Sequence, residues 1–595
     1  MAKRNTYGVD ENIETPFDIK NFLRCKPYIL RNIKPLLLAL FFSILTTVFA
    51  LLGPTFTQII IDEHIPNKNI RGVITIIILY FSCLALSEVF SIFQTIATRK
   101  AGHQIIHEIR SDVFSHIQKL SFNYFDSRPR GKILVRVVNY VNNVADFLSG
   151  GLVNIIVQVL TVVLILFFMI TLSPKLTLCV LAGVPIVVIY LVSVKKRQRQ
   201  AWSDWSAKNS NATAYVSESI NGMQITQAFN REKVNRGIYR ELVEKLNKAH
   251  FRAASINFTM TLLIQNVMRI VVCFLYFSAV VLFAGDHYEA GVIIAMASYA
   301  NRFWGPIQSI ADIYNQLVNT GSYLERIFDT LDEKIEIDDE PDAKPLPKIS
   351  GRVDYEDVTF AYEEGFNILE HINLHVEPGQ SIALVGPTGA GKSTVVNILC
   401  RFYDIQGGKI KLDGHDIRHA TLHSLRSQMG IMLQDSFIFT GTIRDNIRYG
   451  KLDATDEEII AAAKTVCAHD FIMNTENGYD TEVNEKGSTL SAGQRQLICF
   501  ARTVLSDPRI LILDEATSSI DTETEKLVQE GIANLLKGRT SFIIAHRLST
   551  ISGCDQILYI ADKGIQERGT HEELMAKQGL YYALHTAQAE EHNEQ

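Results

Sequence analysis

One stretch of the sequence has the residue types and the spacing that bind phosphate groups. It lies between a short apolar segment, Ser381–Val385, and an apolar helical segment, Val395–Phe402. The pattern G-x-x-x-x-G-K-[ST] in this context predicts a loop whose backbone N–H groups converge on phosphate oxygens at a helix N-terminus. In such a loop the lysine reaches the terminal phosphates and the following serine binds Mg²⁺. The predicted nucleotide-binding residues here are Gly386, Pro387, Thr388, Gly389, Ala390, Gly391, Lys392, Ser393 and Thr394.

Polar side chains follow three other apolar, strand-like segments. Gln434 follows the first, the pair Asp514 and Glu515 follows the second, and His546 follows the third. A carboxylate at a strand end near a phosphate loop holds Mg²⁺, and a second one beside it polarises an attacking water. His546 alone would read as a structural histidine, but its position in this series favours a contact with a γ-phosphate. The region therefore predicts an α/β nucleotide hydrolase.

Six long apolar stretches precede that region. Each is long enough to cross the roughly 30 Å hydrocarbon layer of a membrane as a helix. A buried core helix is the alternative for any one of them, but it does not account for six in succession. The sequence predicts an α-helical six-span transmembrane domain followed by the α/β domain. The stretches are Pro35–Ile61, Val73–Ile96, Phe147–Leu172, Leu176–Val194, Ile256–Ala284 and Val292–Ile313.

The distribution of positive charge predicts the orientation of these spans. The connections between spans two and three and between spans four and five are long and rich in Lys and Arg, whereas the other three are short. By the positive-inside bias, both long connections, both termini and the α/β domain face the cytoplasm. The mixed segment Phe17–Ile33 is expected to be an amphipathic helix at the cytoplasmic interface, with a solvated segment as the alternative. The net charge of −6 does not predict a nucleic-acid partner.

With the segment Leu490–Gln494 (Leu-Ser-Ala-Gly-Gln), these motifs occur in the order found in one family. Residues 351–585 resemble the nucleotide-binding domain of an ABC transporter. With the six spans, the chain is similar to a bacterial B-type (type IV) ABC exporter half-transporter. The resemblance implies ATP and Mg²⁺ as cofactors and ATP hydrolysis coupled to export across the bacterial cytoplasmic membrane. The expected domains are 1–34 (N-terminal segment with an interfacial elbow helix), 35–325 (transmembrane domain), 326–350 (linker) and 351–595 (ATPase domain with a C-terminal tail).

The resemblance also implies a role for each motif residue. Tyr362 would stack on the adenine ring. Gln434 would sense Mg²⁺, Asp514 would support it, Glu515 would be the general base and His546 the switch residue. The metal-binding set would be Ser393, Gln434 and Asp514. The three catalytic residues would be Glu515, His546 and Gln434.

A second group of motif residues implies a partner subunit. Ser491, Gly493 and Gln494 belong to the signature motif, whose Ser and Gly contact the γ-phosphate held by the other subunit in this family. Two such chains would bind two ATP molecules between them, and segments near 124–126 and 227–230 match the coupling helices. Ala492 stands where the family usually has Gly, and the run 490–497 resembles the intact member of heterodimeric exporters. A heterodimer is slightly favoured over a homodimer.

The sequence constrains the transported substrate little. Charged residues within spans usually face a cavity or a partner, and Glu88, Arg269 and Arg302 fit that description, although interhelical pairing is the simpler reading. The softer candidates for the cavity are Gln94, Gln158, Gln265, Asn266, Asn301 and Trp304. The leading expectation is export of small amphiphilic, drug-like or lipid-like compounds, and the alternative is a dedicated exporter of a peptide, siderophore or glycolipid. An importer component is disfavoured because the spans and the ATPase share one chain, and the spans exclude a soluble ABC ATPase.

Overall fold

The computed structural model describes residues 19–128, 130–282, 288–363, 365–432, 436–484, 487, 489–514, 522–544 and 551–593. The chain separates into two compact units. One, the helical unit, consists of Met1–Ile117 and Gly131–Asp332. The other, the α/β unit, consists of Gln118–Arg130 and Glu333–Gln595. The shorter piece of the α/β unit comes from the connection between the second and third predicted spans. The domain bounds expected from the sequence stay a prediction.

The first half of the chain is helical, and several of its helices are far longer than a membrane is thick. In chain order the helices are α1 (Ile19–Arg24), α2 (Lys26–Arg31), α3 (Ile33–Leu51), α4 (Gly53–Ile59), α5 (Ile70–Ile117), α6 (Phe122–Asp126), α7 (Arg130–Val135), α8 (Val141–Asp146), α9 (Leu152–Leu172), α10 (Pro174–Leu181), α11 (Gly183–Asn221), α12 (Met223–Ala228), α13 (Glu232–Phe277) and α14 (Ala290–Leu331). Short π-helical turns at Ile60–His64, Arg136–Tyr140, Phe147–Gly151 and Ser278–Leu282 continue neighbouring helices.

Five helical stretches in the described part of the chain are long and apolar enough to cross a membrane, and they contain the first five predicted spans except for residues that lie outside the described ranges. They are Ile33–His64, Ile70–Ile117, Ile133–Leu172, Pro174–Asn221 and Glu232–Val281. The sixth predicted span lies within α14, which is long enough but less apolar because Asn301 and Arg302 interrupt it. That span stays a prediction from the sequence.

The segment expected to form one interfacial helix instead forms two, α1 and α2. Their junction is at Cys25, and Pro27 in the first turn of α2 favours a new helix start because proline lacks the N–H that would continue the previous helix. Arg24 at the end of α1 forms an ion pair with Asp332 (2.6 Å) and lies over the ring of Phe328 (4.0 Å). The N-terminal helices are thereby tied to the end of α14.

Buried aliphatic strands organise the α/β unit. The strands are β1 (Val353–Ala361), β2 (Asn367–Val376), β3 (Ser381–Val385), β4 (Gly407–Leu412), β5 (His415–Asp416), β6 (Met429–Met432), β7 (Gly441–Thr442), β8 (Glu482–Val483), β9 (Ile510–Asp514), β10 (Thr540–Ile544), β11 (Gln556–Ala561) and β12 (Gly564–Gly569). The main sheet has the order β12-β11-β3-β10-β9-β6, in which all neighbours are parallel except β11 and β12. A four-stranded antiparallel sheet has the order β2-β1-β4-β5, and β7 pairs with β8.

Helices and the smaller sheet cover both faces of the main sheet. The helices are α15 (Lys392–Leu399), α16 (Leu422–Arg426), α17 (Ile443–Arg448), α18 (Asp456–Thr465), α19 (His469–Met473), α20 (Ala492–Leu505), α21 (Thr522–Leu536), α22 (His571–Lys577) and α23 (Leu580–Asn593). Successive strand residues face opposite sides, so Leu511 and Ile543 join one hydrophobic core while Ile512 and Phe542 join the other. Continuous apolar strands are what a parallel sheet buried on both faces requires. The predicted fold class, a region of long apolar helices followed by an α/β domain, is confirmed.

Candidate nucleotide-binding site

The phosphate loop begins directly after β3 and ends at the N-terminus of α15, as the sequence predicts. Two of its glycines are required by their backbone and surroundings. Gly386 has φ of +138°, and a Cβ there would lie 2.1 Å from the carbonyl oxygen of Ile560. Gly391, the residue before α15, has φ of +97°. Side chains at these positions would be strained or would clash, so the loop depends on glycine.

Lys392 lies beneath the loop with its side chain almost fully buried. Its ammonium group donates hydrogen bonds to the carbonyl oxygens of Gly386 (2.8 Å) and Pro387 (2.9 Å). Burial lowers the pKa of Lys392, while the negative charge of Asp514 acts in the opposite direction. The Lys392 ammonium group is therefore held at the loop by neutral carbonyl groups. A phosphate can replace these carbonyls as its hydrogen-bond partner.

Sheet order brings Asp514 to the same edge as the phosphate loop. Asp514 pairs in register with Ile544 of β10, which in turn pairs with Leu384 of β3. Two strand spacings separate β9 from β3, which is about 10 Å. Ser393 is exposed in the first turn of α15. Hydroxyl and carboxylate oxygens at a phosphate loop are suitable ligands for Mg²⁺, so these two residues fit the expected metal.

Tyr362 follows β1 and is partly exposed. Its hydroxyl is 3.2 Å from Oγ1 of Thr394 in α15, and the two hydroxyls form a hydrogen bond. Its ring meets the rings of Phe360 (4.8 Å between centroids) and Tyr403 (4.9 Å) edge to face. These contacts hold one aromatic ring beside the phosphate loop with 42% of the residue exposed, which leaves room for a stacked base.

The signature segment forms the N-terminus of α20. Ser491 caps the helix: its hydroxyl accepts a hydrogen bond from the backbone N–H of Gln494, and the side chain of Gln494 accepts one from the N–H of Ser491 (2.9 Å). Ser491 is exposed, whereas Gly493 is buried. Ala492 is the first helical residue and has negative φ, so the methyl group that departs from the family pattern causes no backbone strain.

Three predicted site residues lie outside the described part of the chain: Gln434, Glu515 and His546. The strands that precede them are described, and they are β6, β9 and β10, neighbours in the main sheet. Parallel strands present their carboxyl ends at one edge, so the segments that follow start beside the phosphate loop. The roles given to these residues stay predictions.

The first predicted coupling segment packs within the α/β unit. The hydroxyl of Tyr403 donates a 2.6 Å hydrogen bond to Asp126 of α6, and Phe122 meets Phe402 with 4.6 Å between ring centroids. Ser121 adds a hydrogen bond to Glu336 (2.7 Å). Sequence reasoning missed Phe402 and Tyr403, which contact this segment. A contact between positions 277 residues apart leaves no local pattern in the sequence.

The second predicted coupling segment, near 227–230, overlaps the end of α12 in the helical unit, and apolar side chains are exposed on and just after this helix. Ile225 is 66% exposed and Phe229 is 71% exposed. Apolar residues at such exposure, outside the apolar spans, indicate a surface that another molecule covers.

The charged residues within the spans differ in their contacts. Arg302 donates a hydrogen bond to the backbone carbonyl of Ala50 in α3 (2.6 Å), which is the interhelical pairing considered above. Glu88 and Arg269 are exposed on α5 and α13. Trp304 is only 2% exposed and packs in the hydrophobic core, so the expectation that it faces a cavity is wrong for this structure.

Comparison with known proteins gives consistent results over nearly the whole chain. Residues 36–307 match the family described as "ABC transporter transmembrane region", and residues 369–518 match the family "ABC transporter". The ABC transporter ATP-binding protein YknV of Bacillus subtilis is 37% identical, over 99% of this chain and 98% of its own length.

Two further matches concern transport. The "probable multidrug resistance ABC transporter ATP-binding/permease protein" YheH of Bacillus subtilis is 40% identical over 88% of this chain and 78% of its own length. The solved structure of a bacterial Atm1-family ABC exporter with ATP bound covers 94% of this chain and 98% of its own, with a TM-score of 0.78 and 27% identity.

Proposed function

This chain belongs to the ABC transporter family, as a multi-pass exporter with its ATPase on the same polypeptide, and we propose that it exports small amphiphilic compounds as one half of a dimer that binds two ATP molecules between its ATPase units. ATP binding, ATP hydrolysis and ATP-driven export follow from the family. The roles of individual residues, the subunit composition, the membrane orientation and the substrate class are parts of the proposal.

The exposed N-terminus of α20 is the observation that best supports a dimer with shared ATP sites. A helix N-terminus attracts anions, and at this one the Ser491 residue is exposed to solvent. Lys392 and Gly386 form a separate, preformed phosphate site at the end of β3. A γ-phosphate held at Lys392 of one subunit and at Ser491 of the other would draw the two ATPase units together.

The residues at the carboxyl edge of the main sheet would then carry the hydrolysis. We assign Tyr362 to the adenine ring, Glu515 to the general base that takes a proton from the attacking water, and His546 to the γ-phosphate. Ser393, Gln434 and Asp514 would hold Mg²⁺, which when bound neutralises charge on the phosphates. The support is the position of Ser393 and Asp514 at one edge and the strand ends that lead to the others.

Two exposed apolar side chains, one on α12 and one just after it, support contact with a second subunit. Ile225 and Phe229 each stay more than half exposed in the part of the chain that the structure describes. A partner chain's ATPase unit is the occupant that a dimer would supply. The partner is a different half-transporter or a second copy, with the heterodimer slightly favoured by the signature sequence. The basic connections support a cytoplasmic position for both termini and for the ATPase.

The substrate class rests on the relative named for multidrug resistance and on the high mean hydropathy of the five long apolar helices in the described part of the chain. The alternative is a dedicated exporter of one peptide, siderophore or glycolipid. Purification of this chain alone tests both parts. A dimeric mass with ATPase activity stimulated by several unrelated amphiphiles supports the proposal with a homodimer.

A monomer without activity that regains it with a second half-transporter supports the heterodimer. Stimulation by a single compound among many favours the dedicated exporter. Full ATPase activity in a chain that stays monomeric would contradict the shared site.

A further inference from the structure

A groove of about 1060 Å³ opens on the surface of the helical unit between α2, α3 and α5. It lies outside the ATP site and involves none of the charged span residues considered above. Its two walls are α3 and α5, which run antiparallel. Asn32, just before α3, contacts Glu108 (2.9 Å) at one end, and Phe42 contacts Phe93 (5.3 Å between centroids) at the other. The composition of both walls therefore changes from apolar to polar in the same direction along the groove.

One end of the groove is apolar and exposed. Leu38, Phe93 and Ile96 are 49%, 48% and 57% exposed, and Phe42 stacks beside them. These residues belong to the first two membrane spans, where exposed aliphatic and aromatic surface meets lipid chains rather than water. The apolar end accepts a hydrocarbon chain.

The other end of the groove carries an excess of positive charge. Its lining contains three fixed cations, Arg31, Lys34 and Lys100, and one carboxylate, Glu108, so the balance is +2. Arg31 forms an ion pair with Glu108 (3.5 Å). Lys34 and Lys100 are exposed and have no ion pair in the described part of the chain. Two unneutralised cations in the lining of a groove with an apolar end are complementary to an anion attached to a hydrocarbon chain.

The distance between the two ends matches such a molecule. Lys34 precedes Phe42 by eight residues of helix, and Lys100 follows Phe93 by seven, so charge and aromatic surface are separated by about 10–12 Å along each wall. A phospholipid places its phosphate and its acyl chain at this separation, with the chain extending farther into the bilayer.

We propose that this groove binds one anionic phospholipid of the cytoplasmic leaflet, with its phosphate at Lys34 and Lys100 and an acyl chain against Leu38, Phe42 and Phe93. The leaflet follows from the orientation proposed above, whereas the lipid site does not depend on the ATPase assignments. Since α2 lies at the charged end and is tied to α5 by Tyr28 and Asp112 (2.8 Å), the lipid would contact the N-terminal helices as well as the first two spans.

The test uses the purified full-length protein and native mass spectrometry in detergent. Phosphatidylglycerol and phosphatidylcholine with identical acyl chains are titrated against the wild type, against K34Q/K100Q and against K26Q/R99Q. The last variant is the matched control. It removes two exposed cations from neighbouring positions of the N-terminal region and α5, and neither lines the groove. Unfolding temperature and basal ATPase activity verify that each variant is folded.

The wild type should retain one phosphatidylglycerol per chain, with an affinity at least about tenfold above that for phosphatidylcholine. A contribution of about fivefold for each cation predicts that K34Q/K100Q loses this preference and that K26Q/R99Q keeps it. Equal binding of the two lipids by the wild type would overturn the proposal, as would equal effects of the two double variants. Displacement of the bound lipid by amphiphiles that stimulate the ATPase would assign the groove to the transported substrate instead, and would also overturn it.

Discussion

Tyr403 and Asp126 form a 2.6 Å hydrogen bond that joins α6 to the strand-and-loop region beside the nucleotide site. Burial and the carboxylate of Asp126 raise the pKa of Tyr403, so its hydroxyl stays a neutral donor throughout the physiological range. The same ring contacts Tyr362 edge to face at 4.9 Å. One tyrosine therefore connects the proposed adenine-binding residue to the segment between the second and third spans.

Tyr403→Phe should weaken the coupling between ATP hydrolysis and transport. The change removes only the hydroxyl, whose hydrogen bond to a carboxylate is worth about 1 kcal/mol at a partly exposed position. Transport in vesicles should fall severalfold, while the affinity for ATP and the basal ATPase rate change by less than about twofold. Tyr449→Phe is the control, because its exposed hydroxyl forms no hydrogen bond in the described part of the chain. Equal transport by Tyr403→Phe and wild type would contradict this role.

Gly386→Ala should abolish nucleotide binding. Its Cβ would lie 2.1 Å from the carbonyl oxygen of Ile560, a backbone atom that cannot rotate away, so the loop or β11 must shift. Gly389→Ala is the matched control within the same loop, since φ is +83° there but no atom lies within 4 Å of the new Cβ. The control should cost about 1 kcal/mol of stability and retain binding of a fluorescent ATP analogue. Similar binding by both variants would mean that the close approach is not needed.

Glu515→Gln should preserve ATP binding and stop turnover. A general base contributes on the order of 10²–10⁴ to the rate, so phosphate release should fall by at least about a hundredfold. ATP should be trapped in the protein, and the bound nucleotide can be counted after rapid gel filtration. Glu572→Gln changes an exposed carboxylate at the start of α22 and should leave the rate unaltered. Near-normal hydrolysis by Glu515→Gln would exclude the assignment of Glu515 as the base.

The ion pair between Arg24 and Asp332 should make the attachment of α1 to α14 pH-dependent. The hydrogen bonds from Arg24 lower the pKa of Asp332. A carboxyl whose pKa is lowered on folding stabilises the folded state above its unfolded pKa of about 3.9, and that contribution is lost as the pH falls through the folded value. Because both side chains are largely exposed, the coupling free energy in a double-mutant cycle of Arg24→Gln and Asp332→Asn should be at most about 1 kcal/mol at pH 7.

Hydrogen exchange of α1 measures the effect directly, since amide protection in α1 should fall at pH 3 in the wild type and be low at both pH values in Arg24→Gln. Arg31→Gln serves as the comparison because Arg31 pairs with Glu108 in α5 rather than with α14. Protection of α1 that is identical in wild type and Arg24→Gln at pH 7 would show that the pair does not hold the helix.

Much of the nucleotide site was predictable because it depends on residues that are close in the chain. Gly386 to Thr394 form one turn between a strand and a helix, and Ser491 with Gln494 forms one helix cap. The residue types within each short segment specify both the phosphate loop and the helix cap. The contact of Tyr403 with Asp126 was not predictable, because it depends on the packing of segments 277 residues apart. Trp304, a softer candidate for the cavity, was misjudged for a related reason, since packing between distant segments buried the whole side chain.

By itself the sequence determined five of the six predicted spans, the order of the ATPase motifs and the family, because hydrophobic length and short-range spacing are properties of consecutive residues. Only the tertiary structure decided which side chains from different helices share one surface. Lys34 and Lys100 are 66 positions apart in the chain, and each reads alone as an ordinary basic residue at a membrane boundary. The antiparallel packing of α3 against α5 brings both residues into the lining of one groove.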